Sequence, residues 1–433
     1  MDGPAREQVQ PQRPSEPGRV RRRHVIYVEG YDPRGAEAYY QLFRRECERF
    51  QREWPVRLTL YPLELESHDF ARWRLDAQNA NWQVATCYDF VRLERLIGTD
   101  IAGPMPLHVL RGLAWIAEDL LNSTQLRIFR ASWRFGLHLL GIQLLLLAGL
   151  ALSVAIAIGV GYAALLGLGL PAPIDIADAI AAGFVVLLLL HPIAKRWFVI
   201  QITNCWVTLR RFARGRATWI DQVVEAGARR LVAAAAARDA DELVLVGHST
   251  GSVIASAIMV RALELDPDLG RKGPRLVLLT LGSVMPAVAL DRAAGKTREM
   301  VRRLAVEPTL AWVDCRSRKD IMNFPYLDPV AGIGVEVGPE RCNPLIWMIR
   351  FKDMVSSEAY RRLRWSFFRL HFQFIMASER PSPYDYILLV SGPAAIPEWA
   401  ARHDELSFAF IRNGALPGAA HQNADAAAAA RRP

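Results

Sequence analysis

Cysteine is scarce in this 433-residue chain, and its positions suit neither a disulfide framework nor a metal site. The cysteines are odd in number and form no C-x-x-C pair; they are Cys47, Cys87, Cys205, Cys315 and Cys342. A structural zinc site is therefore not expected, and a reducing compartment is the simpler interpretation. The chain also has no P-loop, no dinucleotide-binding glycine pattern and no H-E-x-x-H motif. We accordingly expect neither a metal nor another cofactor.

Charged residues are missing from one long stretch. No Asp, Glu, Lys or Arg lies between Arg134 and Asp175, and a second uncharged run extends from Asp178 to Lys195. A helix that crosses a bilayer needs roughly 20 mostly apolar residues, and a helix of a soluble domain usually carries a polar face. We expect residues 135–198 to form a transmembrane hairpin. The alternatives are a buried helical pair and a hairpin that enters the membrane without crossing it.

The formal net charge is +9, and arginines crowd the N-terminus and the flanks of this hairpin, whereas its connecting turn has two acids and no cation. The flanking cations are Arg127, Arg130, Arg134, Lys195, Arg196, Arg210, Arg211, Arg214 and Arg216. The positive-inside rule predicts that both soluble parts are cytoplasmic, in a multi-pass protein of the cell (inner) membrane. The expected partner is therefore the lipid bilayer. Nothing resembles a nucleic-acid module, so no nucleic acid is expected, and the oligomeric state is open.

Both ends of the chain differ in composition from its middle. The N-terminal residues are polar and proline-rich and lack the apolar run of a signal peptide, so residues 1–23 are expected to be a disordered tail. The alanine-rich residues 413–433 are expected to be a second, low-complexity tail. Residues 24–134 and 199–412 are then the two parts of one domain, into which the hairpin is inserted.

Short apolar runs alternate with helical patterns along that domain. Strands are expected at 24–28, 57–65 and 82–91, with a helix at about 36–54. After the hairpin, helices at 225–238 and 252–265 separate further strands, at 243–246, 276–281, 311–315 and 344–351. This alternation predicts an α/β fold, with a mostly parallel sheet flanked by helices and joined by right-handed crossovers.

The most informative segment is the run Gly247-His248-Ser249-Thr250-Gly251, a G-x-S-x-G motif between an apolar strand and a small-residue helix. The tight turn puts the serine in a strained conformation that exposes its hydroxyl. A Cβ at either glycine would collide with the neighbouring strand or helix. The start of the helix favours a developing oxyanion. The alternative is a plain Gly/Ser turn, because a bare G-x-S-x-G also arises by chance.

With this elbow the chain resembles the α/β-hydrolase superfamily, and more narrowly its lipase-like members. Residues 278–286 (LLTLGSVMP) look like the strand and Gly-Ser turn after the elbow helix, and 319–325 (KDIMNFP) look like the loop that carries the acid. Residues 369–372 (RLHF) lie where the family histidine usually falls. The resemblance covers roughly residues 24–100 and 220–375 and implies an α/β-hydrolase-type fold. It also implies the family order of nucleophile, acid and base.

That order assigns Ser249 as nucleophile, Asp320 as acid and His371 as base. Thr250 and Tyr31 would supply main-chain oxyanion donors, although Glu29-Gly30 replaces the His-Gly pair that many relatives have beside Tyr31. Two alternatives stay open from the sequence. Asp314 ends a predicted strand and is the other candidate acid, and His403 is the reserve base.

The expected function is a membrane-anchored serine hydrolase that cleaves an ester or thioester, including lipid-derived ones, by a Ser-His-Asp mechanism. Its expected partner, besides the bilayer, is a small-molecule or lipid ester substrate. One alternative is a non-catalytic hydrolase-fold membrane protein that binds a lipid or a protein. Another is acyl transfer to an acceptor other than water. Because one fold hosts many reactions, the sequence does not name the substrate.

Overall fold

The computed structural model describes residues 19–166, 176–404, 406 and 410. The predicted tail at 413–433 and most of the turn between the two apolar helices lie outside these residues.

A single sheet organises the described part of the chain. Its nine strands are β1 (Arg22–Val28), β2 (Arg57–Leu60), β3 (Glu64–Leu65), β4 (Phe70–Asn79), β5 (Trp82–Val91), β6 (Glu242–His248), β7 (Arg275–Leu281), β8 (Leu310–Arg316) and β9 (Leu345–Met348). The order is β2-β4-β5-β1-β6-β7-β8-β9, with β3 paired to β4. The parallel part of the sheet, which the sequence predicts, consists of β5, β1, β6, β7, β8 and β9. Strands β2, β3 and β4 add an antiparallel edge next to β5.

Strand β4 is not among the strands predicted from the sequence. It pairs antiparallel with β5 over its whole length, across a turn at residues 80–81. The signal for it was present, because its residues alternate between buried apolar and more exposed polar side chains. Ala71, Trp73, Leu75 and Ala77 are the buried set.

Helices surround the sheet, and several of them cover its two faces. They are α1 (Gly35–Glu53), α2 (Glu94–Ile101), α3 (Met105–Asn122), α4 (Thr124–Ala131), α5 (Trp133–Leu165), α6 (Ile176–Arg196), α7 (Val199–Ala213), α8 (Thr218–Ala237), α9 (Gly251–Leu265), α10 (Met285–Ala289), α11 (Gly295–Val306), α12 (Phe351–Met354), α13 (Ser357–Leu363), α14 (Phe367–Phe372), α15 (Tyr386–Ser391) and α16 (Ile396–Ala401). Successive residues of β6 face opposite layers: Leu243 and Leu245 pack with α8 and α9, and Val244 and Val246 pack with α1 and α15.

The ordered structure begins before residue 24, which corrects the predicted tail at 1–23. Arg19 forms an isolated bridge with Ala394, and the Val20 N–H donates to the carbonyl of Pro393. Arg23 is buried and pairs with Glu242 at 2.7 Å. An arginine-rich segment is expected to be a solvated tail when its charges have no partners. Here the buried carboxylate of Glu242 pairs with Arg23. Residues 1–18 lie outside the described part.

Helices α5 and α6 are each long and apolar enough to cross a membrane. Their mean hydropathy is 2.5 over Trp133–Ala163 and 2.0 over Ala177–Arg196, and only 11% of the most apolar window is buried in each. The two helices pack against each other closely, with the Ser153 hydroxyl donating to the Gly183 carbonyl. Such small-residue contacts let helix backbones approach inside a bilayer.

The first turns of α5 belong to the domain core, so the predicted hairpin boundary at residue 135 is too early for a lipid-facing surface. Phe135, Leu139 and Ile142 are buried in the same core cluster as the helices behind the sheet. Further along α5, Leu152 and Ile158 are exposed. A sequence that is apolar on every face does not distinguish protein-facing turns from lipid-facing ones.

Two of the basic residues that follow the hairpin are used inside the domain. Arg210 is buried and pairs with Asp119 and Asp291, and Arg214 pairs with Glu118 and Asp291. They therefore add nothing to the positive charge that faces a membrane. Other flanking cations are exposed, namely Arg130, Arg134, Lys195, Arg196, Arg211 and Arg216, so the asymmetry behind the predicted orientation persists.

Candidate functional site

The G-x-S-x-G segment forms the sharp turn that the sequence predicts. It follows β6, next to the central strand β1, and leads directly into α9. Ser249 has φ of 56°, a left-handed conformation that is rare for a residue with a Cβ. Its N–H donates to the Leu281 carbonyl at 2.9 Å, which holds the turn in place. A Cβ at Gly251 would overlap the main chain at the end of β1, so a glycine is needed there.

The loop after β1 lies directly against this turn. The Tyr31 N–H donates to the Thr250 hydroxyl at 2.7 Å, and Gln201 donates to the Tyr31 carbonyl at 2.7 Å. Thr250 stands at the N-terminus of α9, where main-chain N–H groups lack intrahelical acceptors. The Thr250 main-chain N–H thus lies at the positive end of α9, and its role as an oxyanion donor stays a prediction. The Tyr31 N–H is close to the elbow but is engaged by the Thr250 side chain.

His371 and Asp320 meet beside the elbow. The His371 Nδ1 lies 2.7 Å from the Asp320 Oδ2, and both side chains are almost fully buried. Because a carboxylate only accepts, Nδ1 carries the proton and Nε2 is left as the basic atom. The Met322 N–H and the Asn323 amide also donate to Asp320, at 3.0 Å each. These bonds fix the carboxylate and, through it, the orientation of the imidazole.

The basic nitrogen of His371 is buried and has no hydrogen-bond partner within the described ranges. A buried unpaired acceptor is costly in a folded protein, and it is common where a base waits for a substrate. His371 and Ser249 line the same cavity.

The two alternative residues are occupied elsewhere. Asp314 accepts from the Thr280 hydroxyl and pairs with Arg316, both at 2.6 Å. His403 packs against Trp347, with ring centroids 5.2 Å apart. Neither lines the cavity beside Ser249.

His248 lies beside the site, although the sequence motif assigns it no role. Its ring stacks on His371, with centroids 4.9 Å apart and planes inclined by 26°. Burial holds the pKa of His248 well below its usual range, so this ring stays neutral. No sequence signal pairs two histidines that are 123 positions apart; the contact follows from the helix α14 lying over the elbow.

Glu29 is buried under the same loop. Neither carboxylate oxygen has a hydrogen-bond partner in the described parts of the chain. Burial, together with the charges of Asp32 and Glu94, raises the pKa of Glu29 well above its usual range. Burial therefore favours the neutral, protonated form of this side chain beside the elbow.

A cavity of about 800 Å³ opens at Ser249 and His371. This volume lies within the range of roughly 300–1,000 Å³ that is usual for small-molecule sites. One wall comes from the base of the apolar hairpin and from α7, including Phe135, Leu139 and Trp206. No local sequence pattern links the hairpin to the elbow, so this wall could not be predicted from the sequence.

A separate cluster of His24, Cys87 and Asp89 has ligand atoms within 4.8 Å of one another. The Asp89 carboxylate, however, accepts from His24, Arg72 and Arg230, and these bonds hold its pKa below its usual range against the effect of burial. Although burial opposes its charged form, the bond to Asp89 raises the pKa of His24 to about 9. Three cations around one carboxylate make a closed ion-pair network that repels a metal ion.

The structure thus joins Asp320 to His371 and places His371, Ser249 and Thr250 around one cavity. Ser249 follows the carboxyl end of a parallel strand, the usual place for sites in open α/β sheets. No family model, curated protein or solved structure matches the chain.

Proposed function

We propose that this protein is a membrane-anchored serine hydrolase of α/β-hydrolase type, acting on a carboxylic ester or thioester. The observation that carries the proposal is the buried His371–Asp320 pair, whose unpartnered Nε2 belongs to the same cavity as the strained Ser249. A plain Gly/Ser turn needs neither a buried imidazole–carboxylate pair nor a left-handed serine. The resemblance of the elbow and its surroundings to lipase-like hydrolases supports the same reading.

The proposed reaction follows from these positions. Ser249 Oγ attacks the acyl carbonyl while His371 Nε2 takes the hydroxyl proton, and Asp320 stabilises the imidazolium that forms. The Thr250 N–H, at the positive end of α9, stabilises the oxyanion. His371 then protonates the leaving alcohol or thiol. Water, activated by the same histidine, releases the acid and restores the serine.

Labelling with a fluorophosphonate probe tests this proposal in the full-length protein in detergent. The probe should label the wild type and spare Ser249→Ala. Ser256→Ala is a matched control, because its buried hydroxyl has no partner among the described residues and its loss leaves the elbow intact. Equal labelling of wild type and Ser249→Ala would overturn the proposal.

A non-catalytic hydrolase-fold protein that binds a lipid or a protein partner is the second candidate. The observation in its favour is the Tyr31 N–H, which bonds to Thr250 instead of being free for a second oxyanion contact. A single oxyanion donor would slow acyl transfer by about 10²–10³-fold. Turnover of a short-chain nitrophenyl ester that disappears in His371→Ala would exclude this candidate.

We propose further that the soluble parts are cytoplasmic and that the turn between α5 and α6 faces the other side of the cell membrane. The exposed cations at the hairpin base support this orientation. Cys342 is exposed and serves as an internal reporter of the cytoplasmic side. In intact cells, an impermeant maleimide should label Ala172→Cys and not Cys342, and lysis should make Cys342 reactive. The reverse pattern would contradict the orientation.

A further inference from the structure

Two chemically different groups of side chains line the cavity beside Ser249. The hairpin base and α7 contribute mainly apolar side chains, together with the polar His138 and Gln201; the apolar ones include Phe135, Leu139, Phe198, Ile202 and Trp206. The ring of Phe198, at the end of the hairpin, packs against Phe368 on the helix of His371, with centroids 4.5 Å apart. The apolar wall is thus continuous with the helices that are long enough to enter a membrane.

Arginines from α1, from the loop before it, and from α13 and α14 line another part of the cavity. Three of them are paired with acids: Arg34 with Asp32, Arg49 with Glu379, and Arg362 with Glu358. Arg45 on α1 and Arg369 on α14 are exposed, and neither forms an ion pair or side-chain hydrogen bond with any residue of the described ranges. These two guanidinium groups are free to bind an anion.

We infer that the substrate of this site is an acyl compound that carries a phosphate group, with its chain against the apolar wall and its phosphate at Arg45 and Arg369. The inference rests on the proposed serine-hydrolase function and adds the substrate class. A neutral ester would leave both arginines unused, whereas a phosphate accepts from guanidinium groups in the geometry that arginine favours. A phospholipid drawn from the membrane and a soluble acyl-coenzyme A share this chemistry.

The step itself is ordinary acyl transfer to water. Ser249 Oγ forms a bond to the acyl carbon, and the bond from that carbon to the alcohol or thiol of the phosphate-bearing group breaks. The serine proton passes through His371 to the leaving group. Water then cleaves the acyl-serine, so that one ester or thioester and one water give one acid and one alcohol or thiol.

The test compares three substrates with one oleoyl chain in mixed micelles: oleoylglycerol, oleoylglycerol phosphate and oleoyl-coenzyme A. One double variant combines Arg45→Gln with Arg369→Gln. The matched control combines Arg44→Gln with Arg361→Gln, which removes two exposed arginines of α1 and α13 that lie outside the cavity. The full-length wild type should prefer a phosphate-bearing substrate by at least about tenfold in kcat/KM, since a charged hydrogen bond is worth about that factor. The first double variant should lose this preference and the control should keep it.

The two phosphate-bearing substrates separate the lipid source from the soluble one. A preference for either over oleoylglycerol supports the inference when Arg45→Gln with Arg369→Gln abolishes it, because a thioester is by itself more reactive than an ester. A preference that this double variant keeps would overturn the inference. Equal kcat/KM on all three substrates would overturn it, as would an equal loss of preference in both double variants, because general attraction to charged micelles would then suffice. In these cases, Ser249-dependent cleavage of a nitrophenyl ester leaves the proposed function standing. No turnover of any ester and no fluorophosphonate labelling would overturn both.

Discussion

His248 and His371 stack face to face beside the elbow, with ring centroids 4.9 Å apart. One imidazole is bonded to a buried carboxylate and keeps a free basic nitrogen, and the other is kept neutral by burial. The stack thus supports the base without adding a positive charge that would weaken its basicity. Two adjacent residues of one motif therefore serve the site: Ser249 as its proposed nucleophile and His248 as a support for the proposed base.

We expect His248→Phe to retain most of the activity and His248→Ala to lower kcat/KM by about fivefold, because only the alanine variant loses the ring contact, worth about 1 kcal/mol. The acid limb of the wild-type pH profile of kcat/KM should have a slope of one, since His248 does not titrate there. Nitrophenyl ester hydrolysis across pH measures both. A slope of two, or equal losses in the two variants, would contradict this role.

Substitutions of the two candidate acids should cause different defects. Asp320→Asn should lower kcat by about 10³–10⁴-fold with little loss of stability, because His371 is then free to adopt the wrong tautomer. Asp314→Asn should leave Arg316 buried without its charge partner, and should lower the free energy of unfolding by about 3 kcal/mol. Ester kinetics and urea unfolding of both variants distinguish them. A larger kcat loss in Asp314→Asn would reverse the assignment.

Much of the fold is predictable from the sequence, because strands and helices leave periodic patterns in it. The parallel strands after the hairpin follow from apolar runs between helical segments, and even the missed β4 has alternating residues from Ala71 to Gln78. The elbow is predictable because one tight turn dictates its glycines. Each of these features depends on residues that are close together in the chain.

Contacts between distant residues are what the sequence did not reveal. The sequence suggested both Asp320 and Asp314 as acids, and the contact that favours Asp320 is its bond to His371, 51 positions away in the chain. The buried start of α5 and the hairpin wall of the cavity were not predicted for the same reason, because both depend on contacts between residues that are far apart in the chain. An apolar side chain favours burial against protein and against lipid alike, so composition cannot say which one it meets.

Glu29 makes the stability of the domain depend on pH. Its raised pKa means that, above about pH 4.5, the unfolded state releases a proton that the folded state keeps. Stability should then fall as pH rises from that value towards the folded pKa, at about 1.4 kcal/mol per pH unit. Glu29→Gln cannot ionise, so we expect it to be more stable than the wild type at pH 7 and to approach it below pH 4.5.

Thermal unfolding of the full-length protein in detergent at several pH values checks this expectation. The exposed Glu53→Gln is the matched control and should follow the wild type at every pH. If Glu29→Gln and the wild type had the same pH dependence, the buried carboxyl would have to be ionised and stabilised in the folded state.

Gly183 marks the closest approach of the two apolar helices. A Cβ there would lie 2.9 Å from the Ala157 Cβ and 3.0 Å from the Ser153 carbonyl, both on α5. Gly183→Val should therefore force the helices apart and cost about 1–3 kcal/mol, as overpacking usually does. Gly159→Val is the matched control, because a Cβ at Gly159 has nothing within 4 Å and the change in helix propensity is the same. In detergent, the Gly183 variant should unfold at a lower temperature than the Gly159 variant. Equal midpoints would mean that α5 and α6 do not pack together at Gly183 as the structure has them.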